Sequence, residues 1–337
     1  MNLRTRDEAE VVDAQFAFHL NAGVDFVVAT DHRSEDGTVE ILESYARQGY
    51  LHLLREPGGE MDEGGWATRM SRLAASEFGA DWIIPSDADE FWWPRGGSLK
   101  EVLASVPERY GVVRALLRQF VPRPADDSFF AERMTARVAL AAPINDPTSL
   151  FRPNLKSVHR GDPNVTLSAV AHTLLGSRFV PLRGWYPIEF LHFPIRSREQ
   201  CERKYTHLWS ALGDNRNSYY DEVRRALDSG TFGEFYDSLV IDDAALDRGV
   251  ADGSLVVDTR LRDVLRGLRS AQNGGVSLGG VAFPRPTVVD EAAYAVDVAA
   301  LGEADVVRVQ RRLDELEQRV AAVEGGLLSR IARRLSR

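Results

Sequence analysis

Two hydrophobic periods alternate along the first hundred residues. Val11, Val12, Ala14, Phe16, Ala17 and Leu20 share one helical stripe, which Asn21-Ala22-Gly23 closes because glycine accepts the left-handed cap position. Val24 to Thr30 then forms a short, nearly continuous apolar run, the pattern of a parallel strand covered on both faces. Asp36-Gly37-Thr38 supplies a turn and cap for a helix over Val39 to Gln48, closed by Gly49. A strand follows at Leu51 to Leu54, a helix over about Trp66 to Phe78, and a strand from Asp81 to Pro85. Strand and helix alternating at this spacing predict right-handed crossovers and a parallel sheet.

In such sheets the ligand crevice lies beyond the carboxyl ends of the strands. The acidic segments at Asp31 and at Asp87 to Glu90 both fall there, so two distant polar stretches are expected to meet in one site. From about 110 to 195 the strands shorten and Pro and Gly interrupt them, at Val112 to Leu117, Ala136 to Leu140 and Glu189 to Phe193, which predicts mixed or antiparallel additions. Residues 197–246 read as helical. The overall expectation is an α/β fold with a mixed, mainly parallel sheet flanked by helices over 1–246. An irregular or helical linker over 247–302 and an amphipathic helix over 303–337 follow it. Val306, Val309, Leu313, Leu316, Val320, Val323, Leu327, Ile331 and Leu335 alternate three and four apart, with one slip near Gly325-Gly326, as in a coiled coil. A homo-oligomer through that helix is expected.

Composition narrows the picture. The formal net charge of -9 argues against a protein that grips nucleic acid through phosphate neutralisation. A single cysteine, Cys201, excludes an internal disulfide and a cysteine zinc cluster. No signal-peptide core and no uninterrupted apolar run of spanning length occurs, which gives a cytoplasmic expectation with at most peripheral contact at the inner membrane face, for instance through the basic Arg330 to Arg337.

Asp87-Ala88-Asp89 follows the Trp-Ile-Ile strand directly and precedes Glu90-Phe91-Trp92-Trp93. Clustered carboxylates beside large apolar groups need a cation partner, and two of them on a turn suit Mg²⁺ or Mn²⁺ completed by phosphate oxygens and water. His192, at the end of a strand, is a further candidate ligand. Arg196 and Lys204 near one helix start, with Arg69 on the helix entering at Trp66, are candidates to neutralise a diphosphate. His159 and His172 flank a segment suited to an acceptor pocket.

Five segments together resemble bacterial glycosyltransferase family 2-like proteins. They are Arg6-Asp7-Glu8-Ala9-Glu10, Gly23-Val24-Asp25, Thr30 to Thr38, Ala80-Asp81-Trp82-Ile83-Ile84 with Asp87 to Phe91, and Leu191-His192-Phe193-Pro194-Ile195-Arg196-Ser197. The resemblance spans about residues 3–210, and before the Arg-Asp-Glu segment, where the family has several apolar residues, this chain has only Met1-Asn2-Leu3 for that strand. It implies a GT-A fold using a nucleotide diphosphate sugar donor and a divalent cation, with inversion. It further implies that Asp31 faces the nucleotide base, that Arg6 and Glu8 lie near the nucleotide, and that Asp87 and Asp89 face ribose, diphosphate and metal. The acceptor would be a hydroxyl of a glycan, a lipid-linked glycan or a protein. For the base that takes the acceptor proton, Asp146, Asp162 and Glu189 stand unranked. Two other readings remain: nucleotidyl transfer to a sugar phosphate, disfavoured by a first loop without glycine, and an inactive coiled-coil scaffold.

Overall fold

A computed structural model of the chain describes residues 1–56, 62–140, 155–168, 174–212, 218–272, 281–302 and 313. The first half is the predicted alternation: β1 (Asn2–Thr5), α1 (Ala9–Asn21), β2 (Val27–Asp31), α2 (Thr38–Arg47), β3 (Leu51–Arg55), α3 (Glu63–Ser76), β4 (Trp82–Ile83), β5 (Pro85–Asp87) and β6 (Glu90–Pro94). Strands β3, β2, β1 and β5 lie side by side in that order, all parallel. Short as it is, β1 is central, with Asn2 opposite Val28 on one side and Pro85 on the other. All five residues of β2 are buried, which explains its unbroken apolar run. Gly23 turns the chain into that strand at a φ of +96°, and a Cβ there would lie 3.2 Å from the Cβ of Lys100.

After α4 (Leu99–Ala104) come β7 (Tyr110–Gln119), α5 (Phe130–Arg133), β8 (Ala136–Val138), β9 (Leu155–Arg160), β10 (Val180–Pro181) and β11 (Ile188–His192). A second, mixed sheet runs β4-β9-β7-β11-β6, with β10 added to β7. Its pairings are antiparallel except β11 and β10 on β7. Because β5 belongs to the first sheet and β6 to the second, Ala88 and Asp89 sit in the turn where the two sheets join. This is the mixed α/β arrangement with a parallel half and flanking helices that the pattern predicted.

Helices α6 (Arg198–Leu212), α7 (Ser218–Ser229) and α8 (Phe232–Leu239) share a small core of Ile195, Cys201, Tyr205, Val223, Ala226, Phe232 and Tyr236. Beyond them the linker expectation is corrected for much of its length. α9 (Asp243–Asp252) leads to β12 (Leu255–Val257), which pairs antiparallel with β8, and to α10 (Arg260–Gln272). Leu261, Val264, Leu265 and Leu268 of α10, together with Phe283, enter the same core as Val11, Phe16 and Phe18 of α1. The apolar face of α10 alternates with arginines, so its composition masked a packed helix.

Residues 288–302 are helical and are held to the second sheet. Glu189, 1% exposed, accepts from Arg118 at 2.5 Å and Arg260 at 2.7 Å, with Arg95 3.7 Å away. Arg118 also pairs with Asp297, and the Arg95 guanidinium lies 3.8 Å from the centre of the Tyr294 ring. The coiled-coil expectation for 303–337 falls, except for Leu313, outside the described residues. Among the described residues no helix is long and apolar enough to cross a membrane.

Candidate active site

The turn between β5 and β6 is built from its own side chains. Trp92, fully buried, donates Nε1–H to Ser86 Oγ at 2.9 Å, and the Asp87 amide donates to Glu90 Oε2 at 3.1 Å. Asp87 is enclosed by bases: Arg4, its register partner on β1, donates to Oδ1 at 2.5 Å, and Lys156 of β9 donates to Oδ2 at 2.8 Å. Lys156 also meets Glu90 at 2.6 Å. Burial works to raise the Asp87 carboxyl, but Arg4 and Lys156 outweigh it and hold the group well below the usual carboxylate range. Lys156 remains charged because Asp87 and Glu90 overcome its own burial.

Asp89 is 2% exposed and takes a different set of partners. Lys204 of α6 donates to Oδ2 at 2.5 Å, and Arg196 Nη1 approaches the same oxygen to 4.0 Å. Burial is again outweighed, by Lys204, His192 and Arg196, so the Asp89 carboxyl lies well below its ordinary value. The other oxygen, Oδ1, faces His192 Nε2 at 3.6 Å. His192 Nδ1 lies 2.8 Å from Gln119 Oε1. An amide oxygen only accepts, so Nδ1 carries a hydrogen; Nε2, toward Asp89, is a donor in the protonated ring, the form in which His192 lowers the Asp89 carboxyl, and a lone pair in the neutral one. With the ring neutral the two groups are both acceptors and do not satisfy each other at 3.6 Å, and a divalent ion with bonds of about 2.1 Å fits between them.

The donor set therefore fits a cation at Asp89 and His192. The expected trio with Asp87 does not assemble, because Arg4 and Lys156 hold both Asp87 oxygens. Among the described residues, no cluster of three or more His, Cys, Asp or Glu side chains is arranged to hold a metal.

Two loops beyond the carboxyl ends of β1 and β2 are laced together. Asp7 and Arg33 adopt left-handed backbone conformations, at φ of 54° and 62°. Asp7 N donates to Ser34 Oγ, Glu35 N to Asp7 Oδ1, and Glu8 N to Thr38 Oγ1, all within 2.9 Å. Asp31 and the Asp87 turn thus share one end of the parallel sheet, as expected. The Asp31 carboxylate, however, accepts from Ser34 Oγ at 2.6 Å, Ser34 N at 3.2 Å and Thr5 Oγ1 at 3.4 Å, so it organises this loop. Arg6 reaches His32, and Arg69 pairs with Glu56 on the rim. Arg196, expected to face a diphosphate, is buried and pairs with Glu8 and Glu10 while donating to the Phe193 carbonyl at 3.1 Å. Burial raises the Glu8 carboxyl to about 7, partly offset by Arg196.

The candidate bases separate. Glu189 is locked beneath arginines, which overcome its burial and keep it ionised. Asp162 follows Gly161, whose amide bonds to the Asp81 carbonyl at the start of β4, so it sits at the opposite end of the sheet from Asp87. Asp146 lies outside the described residues, as does His172. His159 is buried beside Ser71 and donates to its neighbour's carbonyl, a structural position. Sequence reasoning missed Arg4, Lys156 and Gln119. A lysine within a buried strand was the available signal for Lys156, since such a group requires charged partners.

No protein-family model matches the chain, and no curated protein matches it. Among solved structures it is similar to residues 1–349 of TarS from S. aureus in complex with UDP, at 13% identity over 85% of this chain and 98% of that one, with a TM-score of 0.33. The same protein in complex with UDP-GlcNAc gives 12% identity over 85% and 99%, with a TM-score of 0.34. A mannose-1-phosphate geranyltransferase from Thermus thermophilus gives 13% identity over 77% and 73%, at 0.23. Likenesses this distant carry no weight for the reaction, which rests on the geometry of the site.

Proposed function

We propose that this chain is a glycosyltransferase that moves a sugar, with inversion, from a nucleotide diphosphate sugar to a hydroxyl of a glycan, a lipid-linked glycan or a protein, with Mn²⁺ or Mg²⁺ held by Asp89 and His192. The observation that carries the reading is the approach of Asp89 Oδ1, in the turn at the carboxyl end of a parallel sheet, to His192 Nε2 at the end of β11, 3.6 Å apart. When bound, the ion supplies positive charge to a departing diphosphate.

The charge balance around the turn supports that assignment. Arg4, Lys156, Lys204 and Arg196 each already pair with a carboxylate among Asp87, Asp89, Glu90, Glu8 and Glu10. A diphosphate would add negative charge to a centre where these four cations are already committed, so further countercharge would have to arrive with it. The protein's own part is positioning. Gln119 fixes the His192 tautomer, Lys204 and Arg196 hold Asp89 ionised, and Arg4 and Lys156 keep Asp87 ionised toward the ribose and diphosphate. Asp146 is the remaining candidate for the acceptor base.

The test is turnover of a panel of nucleotide sugars with Mn²⁺, in the parent chain and in Asp89→Asn. The expected outcome is release of a nucleoside diphosphate by the parent chain and a loss of about a hundredfold or more in the variant, the scale of removing one electrostatic stabiliser. Equal turnover by Asp89→Asn would remove Asp89 from the site. Cleavage of nucleoside triphosphates in preference to diphosphate sugars would instead identify a nucleotidyltransferase.

A further inference from the structure

Residues 174–187 run beside the first half of β7, to which β10 pairs at Val180 and Pro181. Their inward side chains are pinned. Phe179 fills the space that a Cβ on Gly111 would take, and Leu182 and Tyr186 are buried. The Leu182 amide bonds to the Val112 carbonyl at 2.8 Å, and the Tyr186 amide donates to the Tyr294 hydroxyl at 2.8 Å. Further on, Glu189 stands opposite Leu116, so residues 183–188 cover the same stretch as 113–115. The surplus chain loops outward at Arg183-Gly184-Trp185, with Gly184 at a φ of +73°.

What this anchored edge turns to solvent is apolar and basic. Leu175, Val180 and Trp185 are 51%, 52% and 43% exposed, whereas Trp66, Trp82, Trp92 and Trp93 are buried or half-buried. Arg178 and Arg183 stand exposed among them. Arg178 lies 3.6 Å from the Asp162 carboxylate, and Arg183 has no carboxylate within 4 Å among the described residues. Because the neighbours on either side of each exposed group are fixed inward, the exposure belongs to the folded edge. Aliphatic and indole groups interleaved with arginine suit the lipid–water boundary, where an indole rests at headgroup level and guanidinium meets phosphate. The whole chain carries a net charge of -9, so an anionic surface repels most of it and admits this face.

We propose that Leu175, Val180 and Trp185, with Arg178 and Arg183, form a docking face for an anionic lipid bilayer. The three apolar side chains enter the interface, and the two arginines bind lipid phosphates. Gln119 and His192 lie at the other ends of β7 and β11, about 20 Å along the strands, so the docking face is separate from the crevice. The assignment does not depend on the reaction proposed above.

Flotation of the full chain with vesicles of phosphatidylcholine, with and without phosphatidylglycerol, tests this. Binding is expected with phosphatidylglycerol and not without it, and it should weaken as salt is raised. Arg183→Ala should weaken it about fivefold and Trp185→Ala about tenfold or more, with melting temperatures unchanged. Vesicles with brominated acyl chains locate the contact independently of affinity. They should quench tryptophan emission in the parent chain, and Trp185→Phe should lose most of that quenching while still bound. Failure of the parent chain to bind phosphatidylglycerol vesicles overturns the assignment, as does equal binding by Arg183→Ala and Trp185→Ala, or undiminished quenching in Trp185→Phe. Binding that is lost on removing 303–337 and kept in both substitutions would place the contact on the basic Arg330 to Arg337 instead. An oligomer that dissociates in Trp185→Ala without any vesicle binding would make this face a contact between copies of the chain.

Discussion

Asp89 differs from Asp87 only in what surrounds it. Asp89 is buried and Asp87 half-buried, and both are held ionised by basic neighbours, yet Asp87 has a base on each oxygen while Asp89 keeps one oxygen directed at the His192 imidazole. The spacing Asp-x-Asp was legible in the sequence, and so was His192; which aspartate would keep an open oxygen was not, because Lys156 comes from a strand about seventy residues away in the chain. Position also separates the base candidates. Asp162→Asn, at the far end of the sheet, should leave turnover within about twofold of the parent chain, the range of substitutions that touch no reacting group, as read from steady-state kinetics.

His19 provides a pH-dependent prediction at the same scale. It is fully buried, accepts from the Trp92 amide at 3.0 Å, and burial lowers its pKa from 6.5 to about 3. The folded state keeps it neutral while the unfolded chain protonates it below pH 6.5, so its contribution is intact above that pH and is lost as pH falls toward 3. Between pH 7.5 and 5.5, denaturant titration should show the parent chain losing about 1.4 kcal/mol more stability than His19→Gln. Equal losses would show that His19 is protonated in the fold.

At the scale of elements, the parallel half was readable because each βα unit carries its own signals: apolar runs for buried strands and glycines at helix ends. The second half was less readable. Its strands find partners far away in sequence, as β12 does on β8 and β9 on both β4 and β7, and no local pattern encodes those pairings. The region after 247 read as a linker because arginine and aspartate dominate it, yet those charges serve partly to fasten it. Arg260 reaches Glu189 on β11, and Asp297 reaches Arg118 on β7. Glu189→Gln leaves Arg118 and Arg260 without their shared carboxylate and should destabilise the fold by about 3 to 5 kcal/mol in chemical denaturation. A change below about 1 kcal/mol, the worth of an exposed pair, would show the cluster to be solvated.

For the molecule as a whole, the acid pair, the His192 strand and α6 converge on the turn by which β5 of one sheet passes into β6 of the other. The heptads of 303–337 follow the helical residues 288–302, so removing them should lower the mass seen in light scattering while nucleotide binding persists. An unchanged mass would remove the coiled coil as an assembly device. The central claim is that Asp89 and His192 jointly hold a divalent ion that brings a nucleoside diphosphate with it. Thermal unfolding of the full chain with Mn²⁺ and a nucleoside diphosphate at about a hundred times its dissociation constant should show stabilisation of about 2.7 kcal/mol. That stabilisation should disappear with EDTA and in both Asp89→Asn and His192→Ala; if it survives chelation, or persists in both variants, the account is contradicted.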